Sequence, residues 1–265
     1  MRSSAIPAER QVEIARLVKE KGLVTVESLK EILGVSVITI RRDLAVLEKR
    51  GLLERTHGGA ISTSPITREY NYREKDKTNS KYKEAIGKAA AELIKDGDTV
   101  FINSGSTTFQ VIRFLEGKRN IRIITNNVAA AENFGSFPGI ELILTGGRYR
   151  SPSNCVVGEF ASQIISQIMA TKTIIGADGL SFKGGLTSPV YQEAAVTRKM
   201  IERTQGDVIC TADHSKIGKI SNFLTVPVDR LNYLVTDWEF VESYRENLES
   251  VGIKIIKVED PDVVR

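Results

Sequence analysis

Cysteine, histidine and tryptophan are scarce in this chain, whose 265 residues include two Cys, two His and one Trp. Cys155 and Cys210 fit no zinc or redox spacing, and each lies in an apolar run typical of a strand, so we expect two buried thiols. His57 and His214 are too few and too far apart for a histidine-based metal site. The sequence therefore predicts no bound metal.

Long apolar runs are absent as well. No run is long enough to span a bilayer, and the N-terminus lacks the apolar core of a signal peptide. No catalytic triad, Walker loop, internal repeat or low-complexity tract is present. We therefore expect a cytoplasmic protein with no cofactor and no membrane partner.

An excess of positive charge is present, and most of it lies at one end. The formal net charge is +4, and residues 1–60 hold eleven Lys and Arg against eight Asp and Glu. The length suits two domains, a small one and one large enough for its own core. A polyanionic partner for the N-terminal part agrees with this distribution.

Three amphipathic helices are predicted at the N-terminus. The first covers Pro7–Lys21, and the second covers Val26–Leu33 behind Thr25 as its N-cap. A turn at Gly34 leads to the third helix, which has Ser36 as its N-cap. This order of helix, helix, glycine turn and helix is typical of a helix-turn-helix.

A short hairpin is predicted directly after the third helix. Leu52–Thr56 is expected to be extended, and His57-Gly58-Gly59 turns the chain back through Ala60 and Ile61. A helix that begins Thr-Ile-Arg-Arg and is followed by a basic hairpin is typical of a recognition helix with a wing. The sequence therefore predicts a winged helix-turn-helix.

The third helix carries an apolar side chain, Ile38, on the face opposite its apolar stripe. In a major groove such a residue contacts thymine methyl groups, and Arg contacts guanine edges. The alternative is that Arg41 and Arg42 lie on the solvated face of a helical bundle, and His57 is either a wing-tip contact or a turn residue. The predicted DNA-binding residues are Thr25, Ser36, Ile38, Thr39, Arg41, Arg42, Lys49, Arg55 and His57.

The region from about Arg10 to Ala60 resembles the DNA-binding domain of the DeoR family of bacterial sugar-metabolism regulators. The family's Ser-x-x-Thr-Ile-Arg-Arg-Asp-Leu core is unbroken at Ser36–Leu44, and its His-Gly-Gly-Ala wing is unbroken at His57–Ala60. The resemblance implies a transcription regulator with double-stranded operator DNA as its partner.

Charged residues replace the apolar periodicity between Ser62 and Thr78, which predicts a linker in which Tyr70 and Tyr72 dock on a neighbouring surface. The predicted domains are therefore a winged helix-turn-helix at 1–61, a linker at 62–78 and a larger domain at 79–265.

Short β-branched runs alternate with helical stretches after residue 79, which predicts an α/β domain with a mostly parallel sheet covered on both faces. The runs are Thr99–Asn103, Ile121–Asn126, Ile140–Thr145, Thr173–Ala177, Val208–Ala212, Leu231–Thr236 and Ile253–Val258. The helical stretches are Ser80–Lys95, Thr107–Leu115, Val128–Phe134, Glu159–Met169, Val190–Arg203 and Phe240–Ser250.

Polar clusters end six of these runs, and such ends share the edge of the sheet where α/β folds bind ligands. Ser104–Thr108 is the best candidate for an anchor, because a strand-to-helix turn with free N–H groups and hydroxyls suits a phosphate. An ordinary capped helix is the alternative. Arg148, Lys183 and Lys216 lie beside other strand ends and are candidates for the countercharge.

The second half also resembles the DeoR family, in its sensor domain. NSGSTT, ITNN, LTGGR, GADG, GGLT, EAAV and ADHSK occur in the family's order. The family's sensor domain is similar to ribose-5-phosphate isomerase, and the resemblance implies a phosphorylated sugar as effector. Many members have Asp where this chain has Asn103. The residues implied at the effector are Ser104, Gly105, Ser106, Thr107, Thr108, Asn126, Gly147, Asp178, Lys183, Glu193 and Lys216.

The likeness to an isomerase raises the hypothesis of an enzyme. Glu193 is a candidate base for proton transfer, but Ile175 stands where the isomerases carry an acid in a DGAD pattern. We therefore expect a sensor without enzymatic activity. A sugar-phosphate isomerase fused to a DNA-binding domain and a DNA-binding protein without a ligand remain the alternatives. The function predicted is a homo-oligomeric repressor of a carbohydrate-utilisation operon.

Overall fold

The computed structural model describes residues 6–21, 23–56, 58–62, 65–66, 71–134 and 137–263. Within these ranges, one cluster of buried apolar side chains lies between Ile14 and Ala60, and three further clusters lie after Ile86. No helix of the described residues is long and apolar enough to cross a membrane. The molecule is built from a small N-terminal unit and a larger C-terminal one.

Helices and a small antiparallel sheet make up the N-terminal unit, with the strand order Leu23–Thr25, Gly59–Ser62, Leu53–Thr56 in the sheet. Ile14, Ile40, Leu44 and Leu47 are buried in its core, so the predicted apolar stripe of the third helix faces inward. The predicted winged helix-turn-helix is confirmed. Its elements are α1 Pro7–Lys21, β1 Leu23–Thr25, α2 Val26–Leu33, α3 Val37–Lys49, β2 Leu53–Thr56 and β3 Gly59–Ser62.

Local hydrogen bonds fix the ends of α2 and α3. Thr25 and Ser28 form a reciprocal capping box, with Ser28 N donating to Thr25 Oγ1 over 3.1 Å and Thr25 N donating to Ser28 Oγ over 3.2 Å. Gly34 ends α2 with a φ of 65°, and Ser36 Oγ accepts from Thr39 N over 3.2 Å. The turn between the two helices is therefore fixed from both sides.

The wing is the antiparallel pair β2–β3, in which Thr56 lies opposite Gly59. Strand β3 also pairs with β1, where Gly59 lies opposite Thr25. A Cβ atom at Gly59 would lie 2.0 Å from the carbonyl oxygen of Val24, so a larger residue there would push β3 away from β1. His57, the predicted wing-tip contact, lies outside the described residues.

Parallel strands form the central sheet of the larger unit, in the spatial order Lys254–Lys257, Tyr233–Thr236, Thr204–Thr211, Ala170–Gly176, Thr99–Ile102, Ile121–Thr125 and Ile140–Leu144. Each lies within or across one of the seven predicted runs, so the predicted parallel sheet is confirmed. The strands after the wing are β4 Pro65–Ile66, β5 Thr99–Ile102, β6 Ile121–Thr125, β7 Ile140–Leu144, β8 Arg148–Arg150, β9 Cys155–Val157, β10 Ala170–Gly176, β11 Gly179–Ser181, β12 Gly185–Ser188, β13 Thr204–Thr211, β14 Ile220–Ser221, β15 Phe223–Val226, β16 Tyr233–Thr236 and β17 Lys254–Lys257.

Apolar side chains cover both faces of this sheet. On β10, Ile174 packs in one core cluster and the next residue, Ile175, packs in another. The stretch predicted as one helix at Phe240–Ser250 is instead a 3-10 turn at Glu242–Tyr244 followed by a short helix. The remaining helices are α4 Tyr72–Lys77, α5 Ser80–Glu92, α6 Ser106–Arg113, α7 Val128–Asn133, α8 Glu159–Ser166, α9 Tyr191–Glu202 and α10 Arg245–Glu249.

Short antiparallel pairings that were not predicted lie beside the main sheet. Strand β8 pairs with β9, and β12 pairs with both β11 and β15. Each of these strands has only three or four residues, which is too short for a periodic pattern to appear in the sequence. The β11–β12 hairpin follows directly after the end of β10.

The segment between the two units lies against the larger one. Strand β4 pairs with β14, and α4 begins after Asn71, whose Oδ1 accepts from Arg73 N over 3.2 Å. The backbone N–H of Tyr72 donates to the carbonyl oxygen of Pro152 over 2.6 Å. Tyr70 lies outside the described residues. The predicted linker therefore contains structured elements, which its charged composition did not indicate.

Both cysteine side chains are free thiols and buried, as predicted. Burial raises the pKa of Cys155 to about 11 and that of Cys210 to about 12. Both thiols are therefore protonated and unreactive near neutral pH.

Candidate functional site

Positive and apolar side chains are exposed together on α3. Arg41, Arg42 and Lys49 are exposed, and Ile38 is 80% exposed although it is a large apolar residue. An apolar side chain in that position costs free energy in water unless a partner covers it. The face of α3 that carries Ile38 and Arg42 is therefore suited to a groove.

The other predicted DNA-binding residues support or flank this face. Ser36 and Thr25 are exposed N-caps, and the Oγ1 atom of Thr39 lies 2.9 Å from Ser36 Oγ. Arg55 is exposed on the wing strand β2, and its backbone N–H donates to Glu48 Oε1 over 3.1 Å. Eight of the nine predicted DNA-binding residues are therefore at least partly exposed. The ninth, His57, lies outside the described residues.

A buried ion pair holds α3 against α1. Arg10 Nε lies 2.6 Å from Asp43 Oδ2, with 8% and 4% of the two side chains exposed, and Gln11 Nε2 donates to Asp43 Oδ1 over 3.0 Å. Neither Arg10 nor Asp43 is among the predicted DNA-binding residues. Asp43 lies at a buried position of α3. A carboxylate at such a position predicts a charged or hydrogen-bonding partner, because a buried carboxylate without one is costly.

A cleft lies at the carboxyl ends of the central strands. The turn from Ser104 to Thr107 lines it together with the carboxylates of Asp178 and Glu193. Its other described lining residues are Tyr72, Lys75, Lys83, Asn103, Ser153, Gly176, Ala177, Leu186, Thr187, Ser188, Thr197, Lys216 and Thr225.

Side chains behind the Ser104–Thr107 turn fix its shape. Ser104 N donates to Asn126 Oδ1 over 2.8 Å, and Thr108 Oγ1 donates to the carbonyl oxygens of Asn103 and Gly105 over 2.8 and 3.2 Å. The turn leads into α6, whose first N–H groups have no acceptor within the helix. A rigid turn that presents N–H groups and hydroxyls to a cleft suits an anion.

Two carboxylates lie in the cleft in different environments. Burial raises the pKa of Glu193, and the nearby charge of Asp178 acts in the same direction, against a hydrogen bond from Ser153. Arg150 Nε lies 3.4 Å from Glu193 Oε1. Asp178 accepts from Ser188 Oγ over 3.2 Å and pairs with Lys75 Nζ over 2.6 Å. Such carboxylates can accept hydrogen bonds from the hydroxyl groups of a polyol.

Besides Lys75, two further lysines bring positive charge to the cleft. Burial lowers the pKa of Lys83 to about 8, against the opposing charge of Asp213. Lys216 lies near Asp213: burial alone would raise the pKa of this carboxyl, but the charge of Lys216 and hydrogen bonds from Ser215 and Asn79 outweigh it and lower the pKa. Both lysines line the cleft.

Four predicted effector residues lie outside the described lining of the cleft. Thr108 and Asn126 hold the Ser104–Thr107 turn from behind. Gly147 has a φ of 122°, and a Cβ there would lie 2.7 Å from the carbonyl oxygen of Val157, so this glycine allows close packing. Lys183, predicted beside the sugar, lies at the end of the β11–β12 hairpin and pairs with Glu48 over 2.6 Å.

Several cleft residues were missed in the sequence. Lys75 lies in the charged run that predicts a linker, where no pattern distinguishes one lysine from the others. Lys83 had a usable signal, because it shares a buried face of α5 with Ile86, Gly87 and Ala90. Arg148, proposed as a countercharge, is exposed.

Asn103 is buried at the end of β5 and links three segments. Its Oδ1 accepts from Gly176 N over 2.9 Å, and its Nδ2 donates to Thr197 Oγ1 over 3.2 Å. The departure from Asp at this position therefore supplies a donor as well as an acceptor. Ile175, where the isomerases carry an acid, is completely buried in an apolar cluster.

Two family models match the chain in the order of its two units. A DeoR-like helix-turn-helix domain matches residues 10–65, and a DeoR C terminal sensor domain matches residues 78–238.

Similar proteins include the HTH-type transcriptional regulator GlpR of Haloferax volcanii, which is 34% identical over 95% of this chain and 98% of its own length. The HTH-type transcriptional repressor GlcR of Bacillus subtilis is 31% identical over 96% of this chain and 97% of its own length. The glycerol-3-phosphate regulon repressor of Escherichia coli is 36% identical over 80% of this chain and 83% of its own length.

Among solved structures, ribose 5-phosphate isomerase A of Methanocaldococcus jannaschii has a TM-score of 0.38 and 17% identity over 53% of this chain and 55% of its own. A score this low bears on neither mechanism nor ligand. The two family models and the relatives extend over both units of the chain. They show that the chain belongs to the DeoR family of DNA-binding transcription regulators.

Proposed function

We propose that this chain represses a carbohydrate-utilisation operon, and that a phosphorylated sugar bound in the cleft changes its affinity for operator DNA. The observation that carries the proposal is the composition of the cleft. An anion-binding turn, Ser104–Thr107, lines the same space as Lys83 and Lys216 and as the carboxylates of Asp178 and Glu193. The turn and the two lysines suit a phosphate, and the two carboxylates suit sugar hydroxyls.

Repression is supported by the names of the relatives. The proteins of Bacillus subtilis and Escherichia coli are both named repressors, and the second is named for a glycerol-3-phosphate regulon. An effector acts on such a protein only through a difference in its affinity for the DNA-competent and DNA-incompetent arrangements. We assign DNA binding to residues 1–61, the connection to 62–78 and effector binding to 79–265.

The proposed DNA contacts divide into two kinds. Ile38, Arg41 and Arg42 on α3 read base edges, whereas Lys49 and Arg55 contact phosphates. Helix-turn-helix proteins normally read two half-sites about 34 Å or a multiple apart, so we propose that the chain acts as a dimer or a higher homo-oligomer. Light scattering on the free protein and on its DNA complex measures this stoichiometry.

The function is tested by fluorescence anisotropy with DNA from upstream of the chain's own gene, at one fixed salt concentration. Glycerol 3-phosphate, ribose 5-phosphate and the 6-phosphates of glucose and fructose are each added beside the unphosphorylated compound. We expect one phosphate to change the affinity while its unphosphorylated partner does not. DNA binding that responds to none of them would contradict the effector assignment.

A variant locates the response in the cleft. Thr107→Ala removes a hydroxyl from the anion turn and should blunt the response while leaving DNA affinity unchanged. Ser166→Ala, an exposed position on α8, is the matched control. A folded Thr107→Ala protein with a normal response would refute the role of the turn.

We propose that the cleft senses and does not catalyse. Glu193 is a carboxylate whose pKa is raised by burial, as a general base requires, but apolar Ile175 stands at the position of the isomerase acid. We expect no turnover of pentose or hexose phosphates. Turnover that is abolished by Glu193→Gln would refute the sensor-only function.

A further inference from the structure

Helix α4, in the connecting segment, is one wall of the cleft. Tyr72 and Lys75, both on this helix, line the cleft together with residues of the sensor unit. The segment that joins the DNA-binding unit to the sensor unit is therefore also a part of the site that would hold the effector.

Polar contacts hold α4 in place. At its start, Tyr72 N donates to Pro152 O over 2.6 Å. Lys83 Nζ donates to Lys75 O within the helix and, over 2.7 Å, to Thr78 O just after its end. None of the six residues of α4 is buried. An element held by polar contacts without buried apolar side chains opens at a low free-energy cost.

One polar contact from α4 into the cleft is the ion pair between Lys75 and Asp178. Lys75 Nζ lies 2.6 Å from Asp178 Oδ1, and about a fifth of each side chain is exposed. The second oxygen of Asp178 accepts from Ser188 Oγ, which also accepts from Val190 N. Both oxygens of the carboxylate are thus engaged, one by the sensor unit and the other by the connecting helix.

We infer, on the basis of the function proposed above, that Lys75 competes with the effector for Asp178. A sugar hydroxyl takes the oxygen that Lys75 occupies, because Ser188 is fixed in the β12 strand and its hydroxyl is also hydrogen-bonded to the backbone, whereas Lys75 lies on the more weakly held helix. Loss of the ion pair frees α4 from the cleft wall. Occupancy of the cleft is thereby converted into release of the segment that leads to the DNA-binding unit.

Competition predicts the direction in which the sugar-phosphate affinity of the full chain changes when Lys75 is replaced. Lys75→Met removes the competitor, so it should bind the sugar phosphate more tightly than the native protein does, by about three- to fivefold for a pair of this exposure. A lysine that instead contacted the ligand would give weaker binding on removal. Lys75→Arg keeps the charge and should remain near the native affinity, and Lys77→Met, at an exposed position on the same helix, is the matched control.

Isothermal titration with the four sugar phosphates named above gives the affinities, and hydrogen exchange gives the state of α4. Without ligand, Lys75→Met should show faster exchange of the amides at residues 75–79 than the native protein. Addition of the sugar phosphate to the native protein should produce the same increase. Equal or weaker binding by Lys75→Met, or unchanged exchange, overturns the inference about Lys75.

The outcomes separate this inference from the proposed function. If the native protein binds none of the four phosphates, the function itself fails and the competition fails with it. If the native protein binds one of them and Lys75→Met binds it no more tightly, the function stands and only the competition is refuted. A circular dichroism melt of each variant establishes that it is folded.

Discussion

Arg41 and Arg42 on α3 are exposed. In the cleft, Lys75 is half-buried and Lys83 is buried, and both are bonded to protein oxygens. Both regions are suited to phosphate groups, but they hold their charges differently. A DNA duplex binds to the outer surface of a protein, so the cationic side chains that contact it can stay hydrated until the complex forms. A small anion in a cleft meets charges that the protein has already oriented and partly desolvated.

The two regions also differ in how they are assembled. The proposed base-reading residues lie on one helix, within five positions of each other, and α3 only has to be held at the right angle. The cleft draws its lining from α4, α5, α6, α9 and the ends of several strands. A substitution that removes one contact supporting α3, the Arg10–Asp43 pair, should therefore disturb the whole base-reading surface. The cleft depends on many weaker contacts, so a single substitution there should have a smaller effect.

The largest effect is expected for Asp43→Ala, which leaves Arg10 buried without its carboxylate. Loss of one partner of a buried ion pair costs about 3–5 kcal/mol of unfolding free energy. Hydrogen exchange at the amides of α3 measures this loss in the N-terminal unit, and effector binding by the sensor unit should persist. The control is Glu13→Ala, since Glu13 pairs with Arg16 at the surface over 2.6 Å. We expect less than about 0.5 kcal/mol there. Equal effects for the two variants would contradict the supporting role of the buried pair.

Arg42→Ala tests what α3 contributes to DNA binding. A guanidinium that reads a guanine edge discriminates by about 1–3 kcal/mol, so affinity for the operator should fall while affinity for unrelated DNA changes little. Titrations with operator and scrambled duplexes at the same salt concentration measure both. A uniform loss on the two duplexes would make Arg42 a phosphate contact. Arg230→Ala, at an exposed position in the sensor unit, is the control.

The same contrast explains which features could be predicted from the sequence. The helix-turn-helix follows from local signals, namely the caps Thr25 and Ser36, the turn at Gly34 and the spacing of apolar residues. The seven strands follow from β-branched runs. The cleft wall at Lys75 depends on packing between residues 103 positions apart in the chain, and no local pattern encodes that contact. Lys83 lies between these cases, because its place on a buried helical face was visible in the sequence.

Lys83 should make effector binding depend on pH. Its pKa of about 8 means that about half of the folded protein has lost this charge at pH 8. A bound phosphate would favour the charged form and raise the pKa. Binding should therefore take up a proton above pH 8 and weaken as pH rises further, by up to about tenfold per pH unit. More than about one pH unit below that pKa the lysine is charged in both states and contributes little pH dependence.

Titration calorimetry at pH 7.5, 8.5 and 9.5 (roughly one unit apart, on both sides of that pKa) measures this dependence. In Lys83→Arg the charge is permanent, so the curve should be flat over the same range. DNA binding through arginine gives an internal comparison and should not follow the same profile. An unchanged pH profile in Lys83→Arg would assign the dependence to another group.

The smallest effect is expected for Lys183→Ala, at the contact between the two regions. The Lys183–Glu48 pair is exposed by 54% and 26%, so its loss should change DNA affinity by less than about fivefold. Because Lys183 lies outside the described lining of the cleft, sugar-phosphate affinity should be unchanged. The resemblance to the family implies the reverse, a lysine that faces the sugar. A loss of ligand affinity by more than about tenfold would support that assignment, since a hydrogen bond to a charged group contributes about 1.5–3 kcal/mol. If DNA affinity alone changes, the β11–β12 hairpin, which carries Lys183 at one end and follows Asp178 at the other, connects the cleft to the recognition helix.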